Sequence, residues 1–311
     1  MRLLFFSLLF SLGSFICIGQ EKSDDAYYSE LVKNRLEFQM DNDFPFATDR
    51  YYTTGSFISY RRLLKNKNCD ACQEQASVSF QHVFFTPTER ESDDVTKFDR
   101  PYAGFLGLTG TYTIVSESNL IDLSVQVGVT GKISGAEGFQ NLFHSSGGIG
   151  RVVSWTDQIS NAPHLNFNTK YVKEWKILNN PLGLHIAYSP EFAIGTKDVF
   201  FKQYLALYLG KRNPMVASSA YNQLGEFTNE LFIDLHVSHS YVAHNATLEG
   251  SLVGKESPFV LAPRANVWQV GASLYHRRGQ NDFKVGVTYE TPETENAEKH
   301  MYLGITYSRS F

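Results

Sequence analysis

Cysteine is scarce in this chain, and neither sign of charge is concentrated anywhere along it. The 311 residues include 3 cysteines, and 28 Lys and Arg against 32 Asp and Glu give a net charge of -4. Because no basic run occurs, the sequence lacks the electrostatic pattern of nucleic-acid-binding proteins, and we expect no nucleic-acid partner. Beyond residue 20 no long apolar run occurs and the mean hydropathy is negative, which argues against further helical membrane spans.

The first residues have the pattern of a cleaved secretory signal. Arg2 supplies a basic start, and residues 3–18 are apolar or small and carry no charge. Cys17 and Gly19 are the small residues that cleavage after Gly19 requires, so we predict a signal peptide over residues 1–19. A lipoprotein anchored at Cys17 fits less well, because a large residue precedes that cysteine, and a retained membrane helix would be too short.

After that cleavage the only cysteines are Cys69 and Cys72, in the sequence Cys69-Asp70-Ala71-Cys72. A C-x-x-C pair can be a redox motif or half of a metal site. No second pair exists to complete a zinc site, and no strand–helix pattern supports a thioredoxin-like motif. In an oxidising compartment, a small disulfide within a loop is the favoured interpretation.

Alternation with a period of two dominates the mature chain, which is rich in Phe and Tyr. In the last segment the apolar face consists of Met301, Leu303, Ile305, Tyr307 and Phe311. The same alternation occurs over residues 121–130, 231–238 and 283–290. Such strands also suit a soluble sandwich. The small and hydrophilic polar faces, together with aromatic residues near strand ends, favour a membrane barrel.

We therefore predict an all-β fold, a single antiparallel transmembrane β-barrel of about twelve strands over residues 20–311 in the bacterial outer membrane. The predicted strands lie near residues 33–41, 55–64, 76–86, 104–115, 120–132, 164–174, 183–194, 201–211, 228–238, 267–276, 282–291 and 301–311. If both termini are periplasmic, the long connections lie at the outer end, over residues 42–54, 87–103, 133–163 and 239–266. The terminal Phe311 resembles the usual last residue of outer-membrane barrels.

The alternation also predicts which residues of the first strand face lipid. Leu36, Phe38 and Met40 form the apolar row, so the residues between them face the lumen. If the strand continues, Asn42 points outward and Asp43 inward.

A first polar cluster, residues 41–55, lies on the first connection predicted at the outer end. Its three carboxylates, an Asn and several Thr suit a hard cation such as calcium, which takes oxygen ligands. Asp and Asn are also ordinary turn residues, so a solvated acidic turn is the alternative.

Two further clusters lie on the next two of these connections. In the second, residues 97–104, Lys97 and Arg100 can grip a phosphate, or Arg100 can pair with an acid and fix the loop to the barrel wall. The third contains Gln140-Asn141-Leu142-Phe143-His144 and then Trp155-Thr156-Asp157-Gln158. His144 can act as a general base, or be an ordinary surface histidine. No Gly-x-Ser-x-Gly motif supports a nucleophile-elbow hydrolase.

Together, the three clusters resemble the motifs of the lipid A 3'-O-deacylase family of outer-membrane proteins. The family pattern is Asn-Asp, Thr-Asp-Arg-x-Tyr-Thr-x-Gly, Asp-Arg-Pro-Tyr-Ala-Gly, Gln-Asn-x-x-His and Trp-x-x-Gln. Here these are Asn42-Asp43, Thr48 to Gly55, Asp99 to Gly104, Gln140 to His144 and Trp155 to Gln158. The chain departs from the family at Asp41, where Glu is usual, and at Ala162, where the family has the Glu of Asn-Glu-Pro.

The resemblance implies a twelve-stranded barrel that removes a 3'-linked acyloxyacyl group from lipid A, the lipid of lipopolysaccharide, in the outer leaflet. It implies a mechanism similar to that of calcium-dependent phospholipases, with His144 as general base and calcium as electrophile. Asp43 is then the expected metal ligand, and Asn42 the residue that orients metal or substrate.

The predicted substrate-binding residues are Arg100, Lys97 and Thr53. Charge alone suggests that Arg100 and Lys97 meet the glucosamine phosphate. Two alternatives stay open, an outer-membrane phospholipase-type esterase and a non-enzymatic barrel that serves as a channel or scaffold.

Overall fold

The structure, a computed structural model, describes residues 32–46, 48–64, 72–147, 153–178, 183–224 and 228–311. The predicted signal peptide and Cys69 lie outside these residues, whereas Cys72 is disulfide-bonded. Residues Val32–Phe311 form one compact unit. Neither helix among the described residues has the length and apolarity needed to cross a membrane.

The described residues form twelve strands, each paired antiparallel with its neighbours in sequence, and the sheet closes into a barrel. The strands are β1 (Asn34–Asn42), β2 (Tyr51–Leu63), β3 (Gln73–Thr86), β4 (Ala103–Val115), β5 (Asn119–Thr130), β6 (Ala162–Leu178), β7 (Leu184–Gly195), β8 (Asp198–Lys211), β9 (Glu230–Asn245), β10 (Asn266–Arg278), β11 (Asn281–Glu290) and β12 (His300–Ser310). The predicted all-β barrel is confirmed, and each predicted strand overlaps one observed strand.

The first and last strands close the barrel. β1 and β12 pair from Arg35 opposite Ser310 to Asn42 opposite Leu303, and the backbones of Asn34 and Phe311 exchange hydrogen bonds of 2.9 and 2.8 Å. Closure leaves no sheet edge unpaired, which a membrane barrel requires because lipid offers no hydrogen-bonding groups. We call the end that holds Asn34 and Phe311 the terminal end, and the opposite end the distal end.

Side chains alternate between the lumen and the outer surface as predicted for the first strand. Phe38 and Met40 are 46% and 50% exposed on the outer surface, whereas Arg35 and Asp41 are buried. Inside, Arg35 pairs with Asp282 of β11. The wall therefore presents an apolar face outward and a charged face inward, as expected for a barrel in lipid.

Several strands are longer than their alternation indicates, and β2 and β9 show the cause. β2 begins at Tyr51 and not near residue 55, because a bulge between Tyr52 and Thr54 interrupts the period of two while pairing with β3 continues. β9 runs on to Asn245 and not to residue 238, because it keeps backbone pairing with β8 as far as Asp198. The second half of the first polar cluster is consequently strand.

The connection between β8 and β9 folds back into the lumen at the terminal end. Its described part, residues 212–224, which we call the plug, contains two short 3-10 turns, Met215–Ala217 and Ser219–Tyr221. Met215 is fully buried among inward-facing residues of the wall. Arg277 of β10 donates a hydrogen bond to the backbone of the plug at Ala217. The plug narrows the lumen and was not predicted from the sequence.

Candidate active site

The outer face of the wall is covered at the distal end of β3 and β4. Phe84 of β3 and Gly104 of β4 are register partners. Their positions belong to the outward row, which further along the same strands includes the exposed Phe80 and Leu108. Phe84 is nevertheless only 3% exposed, so another part of the chain must lie against the wall there.

The covering element is helix α1 (Ala136–Gly147) of the connection between β5 and β6. Phe139 contacts Phe84 edge to face, with ring centroids 5.6 Å apart. Ala136 packs so closely on Gly104 that a Cβ at Gly104 would lie 2.3 Å from the Cβ of Ala136. Helix α1 therefore lies outside the barrel, on the face that meets lipid.

Two of the sequence motifs hold this helix in place. The indole N–H of Trp155 donates to Oε1 of Gln140 at 2.8 Å, and the side-chain amide of Gln158 donates to Glu137 at 2.8 Å. Trp155 is 2% exposed and stacks on Tyr102, with ring centroids 5.3 Å apart. The Trp-x-x-Gln segment thus clamps the helix that carries His144.

The imidazole of His144 faces a carboxylate from the first polar cluster. Its Nε2 lies 3.6 Å from Oδ2 of Asp49, and both side chains are mostly buried. Arg90 reaches the same carboxylate oxygen with its Nε at 3.2 Å. Burial raises the pKa of Asp49, while Arg90 and His144 oppose that rise by favouring the charged form. Three connections therefore meet at one point.

Asp43 lies close to this group, directly after β1. Its Oδ2 accepts a 2.9 Å hydrogen bond from the backbone N–H of Arg50. Its Oδ1 is buried and accepts no hydrogen bond from the described residues. Burial raises the pKa of Asp43 to about 7, and the negative charge of Asp49 adds to that rise.

In the sequence, Asn42 directly precedes Asp43 and Thr53 follows Asp49. The side chain of Asn42 donates to Oγ1 of Thr54 at 3.0 Å and accepts from the backbone N–H of Phe44 at 2.7 Å, so it fixes the start of the loop. Oγ1 of Thr53 lies 2.8 Å from Oγ1 of Thr86, which in turn donates to the carbonyl of Asp49 at 3.1 Å.

The two basic residues of the second cluster lie elsewhere. Arg100 is 1% exposed, pairs with Glu293 at 2.6 Å and lies over the ring of Phe85, an inward-facing residue of β3. Its guanidinium is thus on the lumen side of the wall, holding the loop to the barrel. Lys97 is exposed and lies 3.9 Å from Asp94. Both remain predicted substrate-binding residues that the structure does not join to His144.

Asp49 links three of the predicted residues, because it lies beside His144, its charge acts on Asp43, and its carbonyl is bound by Thr86, the partner of Thr53. Sequence reasoning did not single out Asp49 or Arg90, although Asp49 stands in the quoted Thr-Asp-Arg motif and carried that signal. Among the residues the structure describes, no group of three or more His, Cys, Asp and Glu side chains is arranged to hold a metal ion. The buried Oδ1 of Asp43 nevertheless accepts no hydrogen bond from the described residues and is an oxygen that could bind a cation.

Known proteins resemble this chain in sequence and in fold. A family model described as "Outer membrane protein LpxR" matches residues 4–311. The solved structure of LpxR from Salmonella typhimurium has a TM-score of 0.73 at 18% identity, covering 89% of this chain and 100% of that chain. The β domain of the Bordetella autotransporter BrkA has a TM-score of 0.45 at 9% identity, covering 90% of this chain and 99% of that chain.

No curated protein matches this chain. At 18% identity, the likeness to the Salmonella structure shows the fold, and the family model spans nearly the whole sequence. This chain belongs to the LpxR family of outer-membrane lipid A 3'-O-deacylases.

Proposed function

We propose that this lipid A deacylase hydrolyses a 3'-linked acyloxyacyl ester with His144 as general base and with a calcium ion bound at Asp43. The observation that carries the proposal is the position of His144. Helix α1 lies on the outward face of the wall and presents His144 to the loop that holds Asp43 and Asp49.

A site on the outward face suits a substrate that lies in the membrane. A lipid in the outer leaflet can reach this face by lateral diffusion and need not enter the lumen. Large apolar side chains near the site are exposed, namely Phe44, Ile133, Phe139 and Leu142. Such side chains at a rim suit contact with acyl chains, because they would otherwise be exposed to water.

In the proposed hydrolysis, His144 takes a proton from a water molecule while the water oxygen attacks the ester carbonyl. The C–O bond of the ester then breaks, and the imidazolium returns the proton to the leaving alkoxide. The products are the released acyloxyacyl carboxylic acid and a free 3'-hydroxyl on lipid A. His144 needs no covalent intermediate for this, and the chain carries no nucleophile-elbow motif.

Calcium fits the residues at Asp43. The buried Oδ1 accepts no hydrogen bond from the part of the chain that the structure describes, and a buried carboxylate is stabilised in its charged form by a cation. Calcium takes its other ligands from carbonyl oxygens and water, so a site need not contain three acidic side chains. When bound, the ion supplies positive charge that stabilises the oxyanion. Asn42 holds the start of the loop that carries this carboxylate.

The two residues predicted to bind the substrate phosphate differ in whether their charged groups are exposed. Lys97 is exposed at the distal end, so its ammonium can meet a lipid phosphate. Arg100 is occupied by Glu293 and Thr247 inside the barrel. We assign Lys97 to the substrate and Arg100 to holding the loop.

The channel alternative is disfavoured by the plug. Residues 212–224 pack into the lumen at the terminal end and are held there by the wall. A glycerophospholipid esterase remains the second candidate, since the same base and cation can act on any ester carbonyl.

The experiment is mass spectrometry of lipid A from cells that express the chain, compared with cells expressing His144→Ala. We expect loss of the 3'-linked acyloxyacyl group with the intact chain alone, and dependence on calcium after extraction with a chelator. Unchanged lipid A with the intact, folded chain would exclude this substrate. A panel of phospholipids in detergent, with the same chelator control, tests the second candidate.

A further inference from the structure

Asp49 lies beside the proposed base. The same carboxylate oxygen, Oδ2, lies 3.6 Å from Nε2 of His144 and 3.2 Å from Nε of Arg90. In a structure without substrate, hydrogen bonds of a catalytic pair are commonly longer than in the reacting complex. The distance is therefore compatible with an Asp–His pair that tightens when substrate binds.

The backbone of Asp49 is fixed as firmly as its side chain. Its carbonyl accepts hydrogen bonds of 3.1 Å from Thr86 and of 3.1 Å from Arg90. Arg90 in turn is held by Tyr102, the residue that stacks on Trp155, because the hydroxyl of Tyr102 donates to the backbone carbonyl of Arg90 at 2.6 Å. The carboxylate thus keeps a constant direction toward the imidazole.

We infer that Asp49 is a positioning residue that acts through His144, an inference that rests on the proposed role of His144 as base. A carboxylate facing Nε2 favours the tautomer that carries its proton on Nε2 and its lone pair on Nδ1. It also stabilises the imidazolium that forms when His144 takes the proton from water. Arg90 and His144 both favour the charged form of this carboxylate, against the effect of its burial.

The competing explanation is that Asp49 only ties its loop to Arg90. Both explanations predict damage on removal of the carboxylate, so stability or activity of a single variant does not separate them. Only the positioning role requires that the state of the His144 ring depends on Asp49, and that the effect of Asp49 vanishes when His144 is absent.

The first measurement is the tautomer of His144 from ring nitrogen-15 shifts of labelled, detergent-solubilised barrel, with His144→Ala used to assign the signal. We expect the Nε2–H tautomer to dominate in the intact chain and to lose that dominance in Asp49→Asn. An unchanged tautomer ratio would overturn the inference, whatever the activity.

The second measurement is lipid A hydrolysis. We expect Asp49→Asn to lower kcat by about a hundredfold with little change in KM, and Asp49→Glu to recover part of the loss. The double variant Asp49→Asn with His144→Ala should be no less active than His144→Ala alone. Glu256→Gln removes an exposed carboxylate at the same end, outside the segment that clamps the helix, and serves as the control.

The outcomes separate the two proposals. A double variant that loses activity beyond His144→Ala shows that Asp49 acts by itself and overturns the inference. Inactivity of the intact chain on lipid A counts against the proposed function, while the tautomer measurement still decides whether Asp49 governs the ring.

Discussion

The contact between helix α1 and the barrel wall gives the sharpest test of the site, through Gly104. Gly104 belongs to the Asp-Arg-Pro-Tyr-Ala-Gly motif and lies at the start of β4 on its outward face. An added Cβ would lie 2.3 Å from Oγ of Ser134 and 2.3 Å from Cβ of Ala136. The substitution Gly104→Ala should therefore push the start of the helix off the wall without disturbing the pairing of β4.

The size of the effect follows from contact distances. Non-bonded carbon atoms prefer separations of about 3.5 to 4.0 Å, so Ala136 must move outward by about 1 Å. A misplacement of about 1 Å can lower the rate of an enzyme about a hundredfold. Because His144 lies on the same helix, we expect Gly104→Ala to reduce lipid A hydrolysis by ten- to a hundredfold, on the order of the effect just cited.

The matched control is Gly110→Ala in the same strand, where an added Cβ meets no atom within 4 Å. Both variants are scored for deacylation by mass spectrometry of lipid A and for folding by the heat-dependent gel migration of intact barrels. We expect both to fold and only Gly104→Ala to lose activity. Equal activity of the two variants would refute the argument that the seating of α1 on Gly104 sets the position of His144.

Four further predictions concern other parts of the molecule. Because burial raises the pKa of Asp43 from 3.8 to about 7, the folded chain holds a proton there between these pH values that the unfolded chain has lost, so stability without calcium should fall as the pH rises through that window. About two pH units of this window lie above pH 5, so urea unfolding with a chelator at pH 5 and 8 should show a difference that shrinks by up to about 3 kcal/mol in Asp43→Asn. An identical pH dependence in the variant would contradict the argument. Trp155→Phe keeps a ring but removes the indole N–H, so deacylation should fall several-fold while the barrel still folds, and full activity would show that the clamp is unnecessary. Lys97→Ala should raise the KM for lipid A, whereas Arg100→Ala should lower the midpoint of urea unfolding because it leaves Glu293 unpaired. A higher KM only in Arg100→Ala and a lower midpoint only in Lys97→Ala would exchange the assigned roles. Planar bilayers with the intact chain should show no steady conductance, and removal of residues 213–223 should create it; open channels in the intact chain would count against the plug.

The fold was predictable because a membrane barrel imposes its period on the sequence. One face of every strand meets lipid, so apolar residues recur at every second position and mark the strands directly. The prediction failed at strand ends, where lipid no longer selects the side chains. The bulge near Tyr52 and the extension of β9 to Asn245 depend on backbone pairing with neighbours, which leaves no period in the sequence.

The plug could not be predicted for a related reason. Residues 212–224 mix polar and apolar residues in about equal number and show no regular period. What fixes them inside the lumen is the inward-facing surface of strands far away in sequence, including Arg277 of β10. Only the assembled barrel brings these surfaces to one place.

At the proposed site, the sequence indicated candidate residues but not how they contact one another. Asn42, Asp43 and His144 were predicted from motif order. The partnership of His144 with Asp49 was not, because it depends on a helix that crosses to the outside of the wall. Arg100 illustrates the opposite case, since its charge suggested a phosphate partner while the fold provides Glu293 inside the lumen.

The absence of the family's Glu at Ala162 gains a physical meaning from these positions. Ala162 opens β6, is 1% exposed, and lies beneath the connection between β9 and β10, where a Cβ on Gly254 would be 3.4 Å from its own. That connection is held by Ser257, whose Oγ accepts a 3.0 Å hydrogen bond from Ser160. A Glu side chain would have to displace this loop. The carboxylates of the proposed site, Asp43 and Asp49, come instead from the connection between β1 and β2. The change at Ala162 therefore alters the contact with the β9–β10 connection and removes none of the residues proposed for catalysis.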